Sequence, residues 1–281
     1  SARADYRYGA SMKKSARWFG FGRTETGHVR PSNQDAFAAI NSCNFWIVAD
    51  GMGGHPAGDL AAHIAVDVAT LQAKEQLPAL TDAPDAAADR LGNIIIAANE
   101  AIHNKVREEP SLKGMGTTVV ALTITSDPAP MAHIAHLGDS RAYRFHEGTL
   151  TQLTRDHTLV AMLLQRGLID DATARAYPDR HILAKGLGMG LDQKPEITST
   201  PLTNKDLLML CSDGLTKMLD DTDIASILSH AGGHPRRACH DLVEQALSRG
   251  GEDNVTVIVV CAYTTTTEAG SPAIDKKLPA M

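Results

Sequence analysis

Three strand-like segments precede the first helix in this chain, and that order rules out most ways of alternating strands with helices. Residues 18–23, 36–40 and 45–49 are rich in aromatic and β-branched residues and are separated by Gly, Asn and Ser. Two helices follow. One opens near Pro56 with Leu60, Ile64, Val68 and Leu71 on one face, and the other repeats the pattern with Ile95, Ala98, Ile102 and Val106. Strands return at 117–125, 131–137, 141–145 and 149–153, joined by short turns that suit antiparallel meanders. After a mixed stretch with helices at 159–166 and near Asp171, extended segments at 196–200 and 206–211 lead to helices at 223–230 and 235–248 and a last strand at 255–261. Strands in blocks, alternating with pairs of long helices, disfavour a doubly wound parallel sheet. They predict an α+β fold, a four-layer α-β-β-α sandwich of two antiparallel sheets covered outside by helices. No internal repeat of fixed period is present.

Composition narrows the function classes. The chain has 281 residues, 43% hydrophobic and 21% charged, as expected of a packed globular protein. Its net charge of −6 and the lack of a basic stripe argue against a nucleic-acid partner. The apolar runs, such as Leu207-Leu208-Met209-Leu210, fall far below the ~20 residues that cross a bilayer, and the N-terminus has no apolar signal-peptide core. The cytoplasm is the expected location, with no membrane partner. Cys43, Cys211, Cys239 and Cys261 lack CxxC spacing and read as buried thiols; none is followed six positions on by arginine, so the loop of a cysteine-nucleophile phosphatase is absent. Residues 1–16 read as a leader, with Met12 a plausible natural start, and 264–281 as a low-complexity tail. A single domain over 17–263 is expected between them.

The ends of the apolar segments carry the chemistry. Asp50-Gly51 follows one strand, Gly138-Asp139-Ser140 a second and Ser212-Asp213-Gly214 a third, while Asp253-Asn254 precedes a fourth. One such aspartate is a turn residue. Four, on segments a compact sheet brings to one edge, form a cluster of like charges that ionises cheaply only around a cation. Oxygen donors without His or Cys at ligand spacing suit hard ions, so Mn2+ or Mg2+ is expected, with Gly51 lending a carbonyl. Two ions sharing Asp50 would sit ~3.5–4 Å apart and hold a bridging water acidic enough to attack at neutral pH. Arg30, ahead of the strand at 36–40, suits bidentate capture of a phosphoryl group.

With these residues in view, the sequence resembles the PPM, or type 2C, metal-dependent protein serine/threonine phosphatases in their compact bacterial form. The matching segments occur in family order: GHVRPSNQDAF, VADGMGGHPAGD, GMGTTVVAL, AHLGDSRAYRF, TRDHTLV, LLMLCSDGL and GGEDNVTVIVV. They cover nearly the whole body from Trp18 to Cys261. The resemblance implies an α-β-β-α sandwich with a two-metal centre, in which the catalytic ligands are Asp50 as the bridge, Gly51 through its carbonyl, Asp213 and Asp253. It implies that Asp139, with Asp213, can hold a weaker third ion, that Arg30 binds phosphate, and that Asp35 and Asn254 support the ligands. The implied substrates are phosphoserine and phosphothreonine in proteins, hydrolysed by direct attack of water in opposition to a cognate cytoplasmic Ser/Thr kinase. A monomer is expected.

Two departures stand out. Met52 occupies the place of a histidine credited in many eukaryotic members with protonating the leaving group, and Gln34 replaces an acidic residue beside Asp35. His55, His157 or a metal-bound water are the remaining acids, and His157, in Arg155-Asp156-His157, reads foremost as a structural histidine. The stretch 156–194 resembles the family's variable flap. Its GLGMGL lacks the strand-to-helix context of a nucleotide loop. The alternative function is an inactive pseudophosphatase that binds phosphoproteins, which the complete ligand set disfavours; a kinase is excluded by the absence of HRD-type and DFG-type motifs.

Overall fold

The computed structural model describes residues 16–52, 57–77, 84–126, 129–178 and 182–264. Residues 1–15 of the expected leader, 265–281 of the expected tail and His55 lie outside the described residues, while Ala16 and Thr264 belong to paired strands. In chain order the strands are β1 (Ala16–Glu25), β2 (Asp35–Ile40), β3 (Phe45–Met52), β4 (Gly116–Thr117), β5 (Val119–Thr125), β6 (Met131–Leu137), β7 (Arg141–His146), β8 (Thr149–Gln152), β9 (Glu196–Pro201), β10 (Leu207–Cys211) and β11 (Val255–Thr264). The helices are α1 (Ala57–Gln76), α2 (Pro84–Glu108), α3 (Leu159–Gln165), α4 (Asp171–Ala176), α5 (Asp213–Thr216), α6 (Asp221–His230) and α7 (Pro235–Ser248).

The strands form two sheets, one ordered β1-β11-β10-β7-β8 and the other β2-β3-β5-β6-β9 with β4 paired to β3. Every pairing between them is antiparallel. Three apolar layers hold the stack together. α1 and α2 cover the second sheet through Ala61, Ala65, Ile95 and Ile102; α6 and α7 cover the first through Ile224, Leu228, Leu242 and Val243. Trp46, Val120, Leu122, Leu208, Leu210, Ile258 and Val260 fill the space between the sheets. This is the four-layer α+β sandwich expected from the order of the elements.

The period of two along each strand places the site. In β3, Phe45, Ile47 and Ala49 face the helices while Trp46 and Val48 face the other sheet. Asp50 continues the count of Trp46 and Val48. Asp35 likewise continues Phe37 and Ala39, Thr118 continues Val120 and Leu122, and Ser212 and Thr256 continue the inward residues of β10 and β11. At this rim of the intersheet core, side chains that would be apolar are hydroxyls and carboxylates.

Local departures from the expected elements have physical causes. β3 does not end before Asp50 but runs to Met52, because β4 supplies partners for Gly51 and Met52. Asp213 stands in the first turn of α5, a four-residue helix too short to leave a periodic signature. On α1 the fully covered face is made of Ala61, Ala62, Ala65, Ala69 and Ala73, and Leu71 is 58% exposed. Leu60, Ile64 and Val68 only flank the contact, since small side chains let the helix approach the sheet and its partner helix closely.

Candidate metal centre

Asp50, Gly51, Asp139, Asp213 and Asp253 line one cavity of about 310 Å3, in which the cations are Arg30 and Lys217. Asp50 enters it from β3. Its backbone is fixed on three sides: its N–H donates to Thr118 Oγ1 (3.0 Å), and its carbonyl accepts from Thr118 N–H (2.9 Å) and Thr117 Oγ1 (2.9 Å). Thr118 Oγ1 is itself 2.7 Å from Ser140 Oγ, which ties β3 to the turn bearing Asp139. That turn uses Gly138 at φ +109°, where a Cβ would sit 2.7 Å from the Thr118 side chain. Gly51 is equally constrained, as a Cβ there would lie 2.1 Å from the carbonyl oxygen of Gly58 in α1.

Asp35 pairs directly with Asp50 across the β2–β3 ladder. Like charges in that position repel, and Asp35 is held by Ser212 Oγ (2.8 Å) and Thr256 Oγ1 (2.6 Å), both donating to Oδ2. Asn254 binds the chain around Arg30: its Oδ1 accepts from Gln34 N–H (2.9 Å), and its Nδ2 donates to the carbonyls of Thr26 (2.8 Å) and Ser32 (2.9 Å). Arg30 in turn rests on Asp253, Nε to Oδ1 at 2.8 Å and Nη2 to Oδ2 at 2.9 Å. Lys217 bridges Asp213 Oδ2 (2.6 Å) and Asp253 Oδ2 (2.8 Å).

The electrostatics show how poorly these carboxylates are compensated. Burial, then the charges of Asp35, Asp213, Asp139 and Asp253, pushes the Asp50 carboxyl well above its ordinary range. Burial lifts Asp35 to about 6 against the pull of its two hydroxyl donors, and burial with the Asp213 and Asp156 charges lifts Asp139 to about 7. Burial also acts to raise Asp253, but Lys217, the Asn254 N–H and Arg30 overcome it and hold that group low. Asp35 Oδ1 and Asp213 Oδ1 are buried with no hydrogen-bond partner. A compact set of oxygen donors with surplus negative charge and orphaned oxygens fits hard divalent ions such as Mn2+ and Mg2+.

A second group has nominal metal-ligand chemistry. His136, His157 and Glu196 place ligand atoms within 4.8 Å of one another. The two imidazoles, however, are stacked, with centroids 4.6 Å apart and planes 9° from parallel. An ion must lie in the plane of each ring that ligates it, and stacked planes share no such point. Hydrogen bonds account for the group instead. His157 Nδ1 accepts from Gly138 N–H (3.3 Å) and its Nε2 faces Glu196 Oε2 (3.2 Å), while His136 Nε2 meets the Arg155 carbonyl (2.8 Å). With both nitrogens engaged, His157 braces the turn before Asp139. Burial outweighs the pull of Glu196 and lowers the pKa of the ring.

Sequence reasoning did not single out Lys217, Thr118, Ser140, Ser212 or Thr256. The hydroxyls were legible as breaks in the inward apolar period; Lys217 carried only its spacing of four from Asp213. Beside the acidic cavity lies a larger one of about 690 Å3 that shares Arg30, Asp139, Asp213, Lys217 and Asp253 and takes an apolar wall from Val160, Ala161 and Leu164 of α3. Arg141 holds Asp156 at its edge with two bonds of 2.8 and 2.7 Å.

Comparison with known proteins agrees with the four-layer fold that carries these residues. The family described as protein phosphatase 2C matches residues 26–244. The serine/threonine phosphatase stp of Listeria welshimeri is 37% identical over 241 residues, covering 85% of this chain and 93% of that protein. The serine/threonine protein phosphatase PstP of Mycobacterium tuberculosis is 37% identical over 238 residues, 84% of this chain and 43% of that protein. A solved structure of the PstP catalytic domain in complex with two manganese ions superposes with a TM-score of 0.74 at 32% identity, covering 88% of this chain and 99% of that one.

Proposed function

The chain belongs to the protein phosphatase 2C, or PPM, family, and on that premise we propose that the cavity at the sheet rim hydrolyses phosphoserine and phosphothreonine esters of proteins. The observation that carries the reading is the convergence of Asp50, Asp139, Asp213 and Asp253 on one cavity with too little positive charge to match them. Asp50, the Gly51 carbonyl, Asp213 and Asp253 would hold two ions, Mn2+ or Mg2+, and Asp139 with Asp213 a weaker third. When bound, such ions supply positive charge to the phosphoryl oxygens and acidify water enough for it to attack at neutral pH.

The chain's own residues do the rest. Arg30, half-exposed at the mouth, offers a planar pair of N–H groups to the phosphoryl oxygens once it leaves Asp253. Asp35, through Ser212 and Thr256, holds β2 against β10 and β11 so that Asp50 and Asp213 keep their separation. Asn254 fixes the loop that aims Arg30. The larger cavity accepts the peptide on either side of the phosphorylated residue, with α3 as its apolar wall. As water bonds to phosphorus it gives up a proton, the P–O bond to the serine or threonine breaks, and the alkoxide takes up one proton, so that water and phosphoester become alcohol and phosphate with no net proton consumed. Met52 cannot give that proton, and His157 is spent on Gly138 and Glu196. No covalent phosphoenzyme forms. The implied setting is a monomeric enzyme opposing a Ser/Thr kinase in the cytoplasm. No helix among the described residues is long and apolar enough to cross a membrane.

Release of phosphate from a phosphothreonine peptide, measured with Mn2+, with EDTA and with Asp213→Asn, tests the reading. Turnover confined to the Mn2+-loaded wild type is the expected result. Equal release in all three samples refutes it, and no release in any of them returns the pseudophosphatase.

A further inference from the structure

We infer that Lys217 is an internal counter-cation that a divalent ion must displace, so that this one side chain sets how tightly the centre holds its metal. The inference rests on the assignment of Asp213 and Asp253 as ligands above. Lys217 sits at the C-terminal end of α5, its N–H bonded to the Asp213 carbonyl at 2.8 Å, which fixes its backbone one turn from the carboxylate it neutralises. From there its ammonium lies 2.6 Å from Asp213 and 2.8 Å from Asp253, with the three side chains 27%, 16% and 15% exposed. A pair this sheltered is screened far less than a surface ion pair.

The oxygen count on the two carboxylates shows why displacement is required. Asp253 Oδ1 accepts from Arg30 Nε (2.8 Å) and Asn254 N–H (2.9 Å), and its Oδ2 accepts from Arg30 Nη2 (2.9 Å) and Lys217 (2.8 Å). Asp213 has Oδ1 unpartnered and Oδ2 held by Lys217 alone. An incoming ion therefore finds one open oxygen on Asp213 but reaches Asp253 only by taking it from cations. Arg30 touches one of these carboxylates and is 48% exposed, whereas Lys217 spans both and is the more enclosed. Its flexible four-carbon stem can swing into the shared wall of the two cavities, both of which it lines, without disturbing α5. Lys217 thus stabilises the metal-free chain and opposes loading.

Titration calorimetry of Mn2+ into the full chain, with Lys217→Met, Lys217→Arg and Asp213→Asn, tests this. Lys217→Met is expected to bind ~10-fold more tightly than wild type, to melt at a lower temperature without metal, and to gain more from saturating Mn2+. Lys217→Arg keeps the charge and stays near wild type. Equal or weaker binding by Lys217→Met, or the same tightening by Lys217→Arg, overturns the inference while leaving the metal centre intact. Failure of wild type to bind Mn2+ at all overturns both. A measurement on the unaltered protein guards against a variant that does not fold: reductive methylation of Lys217, read by mass spectrometry, should rise as Mn2+ is added, and labelling indifferent to Mn2+ counts against displacement.

Discussion

Asp50 and Asp35 face each other across a β-ladder, an arrangement that costs energy wherever a sheet serves only to fold. Here the hydroxyls of Ser212 and Thr256 are spent on Asp35, and in the proposed metal centre the Asp50 carboxylate is the one left to take an ion. Arg30 shows the same economy of charge: it rests on Asp253, and in the proposed reaction it would exchange that carboxylate for the phosphoryl group. Arg30→Ala should lower kcat/KM on a phosphopeptide about 10–100-fold, the size of one lost charge-assisted interaction, mostly through KM, with Arg30→Lys recovering only part. Steady-state kinetics checks it, and an unchanged KM would remove Arg30 from phosphate binding. Asp50, Asp139 and Asp213 were readable because each stands beside Gly or Ser at the end of an apolar run, and Asp253 because it lies just ahead of the run that begins at Val255. Lys217 was not, because a lysine four residues from an aspartate is common on any helix and only α5 turns it inward.

Among the elements, β3 and α1 show what an apolar pattern reveals and where it misleads. The unbroken run at 45–49 marked β3 as a strand, and the structure sorted its residues between the helices and the other sheet. On α1 the spacing of Leu60, Ile64, Val68 and Leu71 marked a helix but not its buried face, which belongs to the alanines. Large apolar residues dominate any hydrophobic pattern, yet closeness of approach is set by small ones. Ala65→Leu should therefore cost about 1–3 kcal/mol by overpacking, while Leu71→Lys should stay within about 0.5 kcal/mol of wild type. Urea unfolding of the two variants decides the point, and the reverse order would mean that the leucine face is the packed one. α5 and β4 escaped the sequence reading because four residues and two residues are too short to show a period.

At the scale of the molecule, one end of the sandwich is given to the acidic cavity while the first sheet is secured elsewhere by a buried carboxylate. Asp206 is fully buried and accepts from Arg144 (2.9 and 3.0 Å), His146 (2.6 Å) and the Thr203 N–H (2.6 Å). Burial acts to raise its pKa, but these donors outweigh it and hold it below the ordinary value. A depressed carboxylate contributes its stabilisation above its unfolded pKa, near ~4, and loses it as pH falls through the lower folded value. Asp206→Asn should cost about 3 kcal/mol at neutral pH and flatten the acid limb of the stability curve below pH ~4; an acid limb like that of wild type would exclude Asp206 as its source. The order of strand blocks and helix pairs, the inward alternation and the acidic ends of the apolar runs were fixed by local sequence, because each depends only on neighbours a few positions away. Which carboxylates share a cavity, which hydroxyls restrain them and which cation lies between them were decided by the tertiary structure. Those relations join Asp35 of β2 to Thr256 of β11 across 221 positions and Lys217, just after α5, to Asp253, just before β11, across 36, and no local pattern encodes a distance between such residues until the sheets have closed on each other.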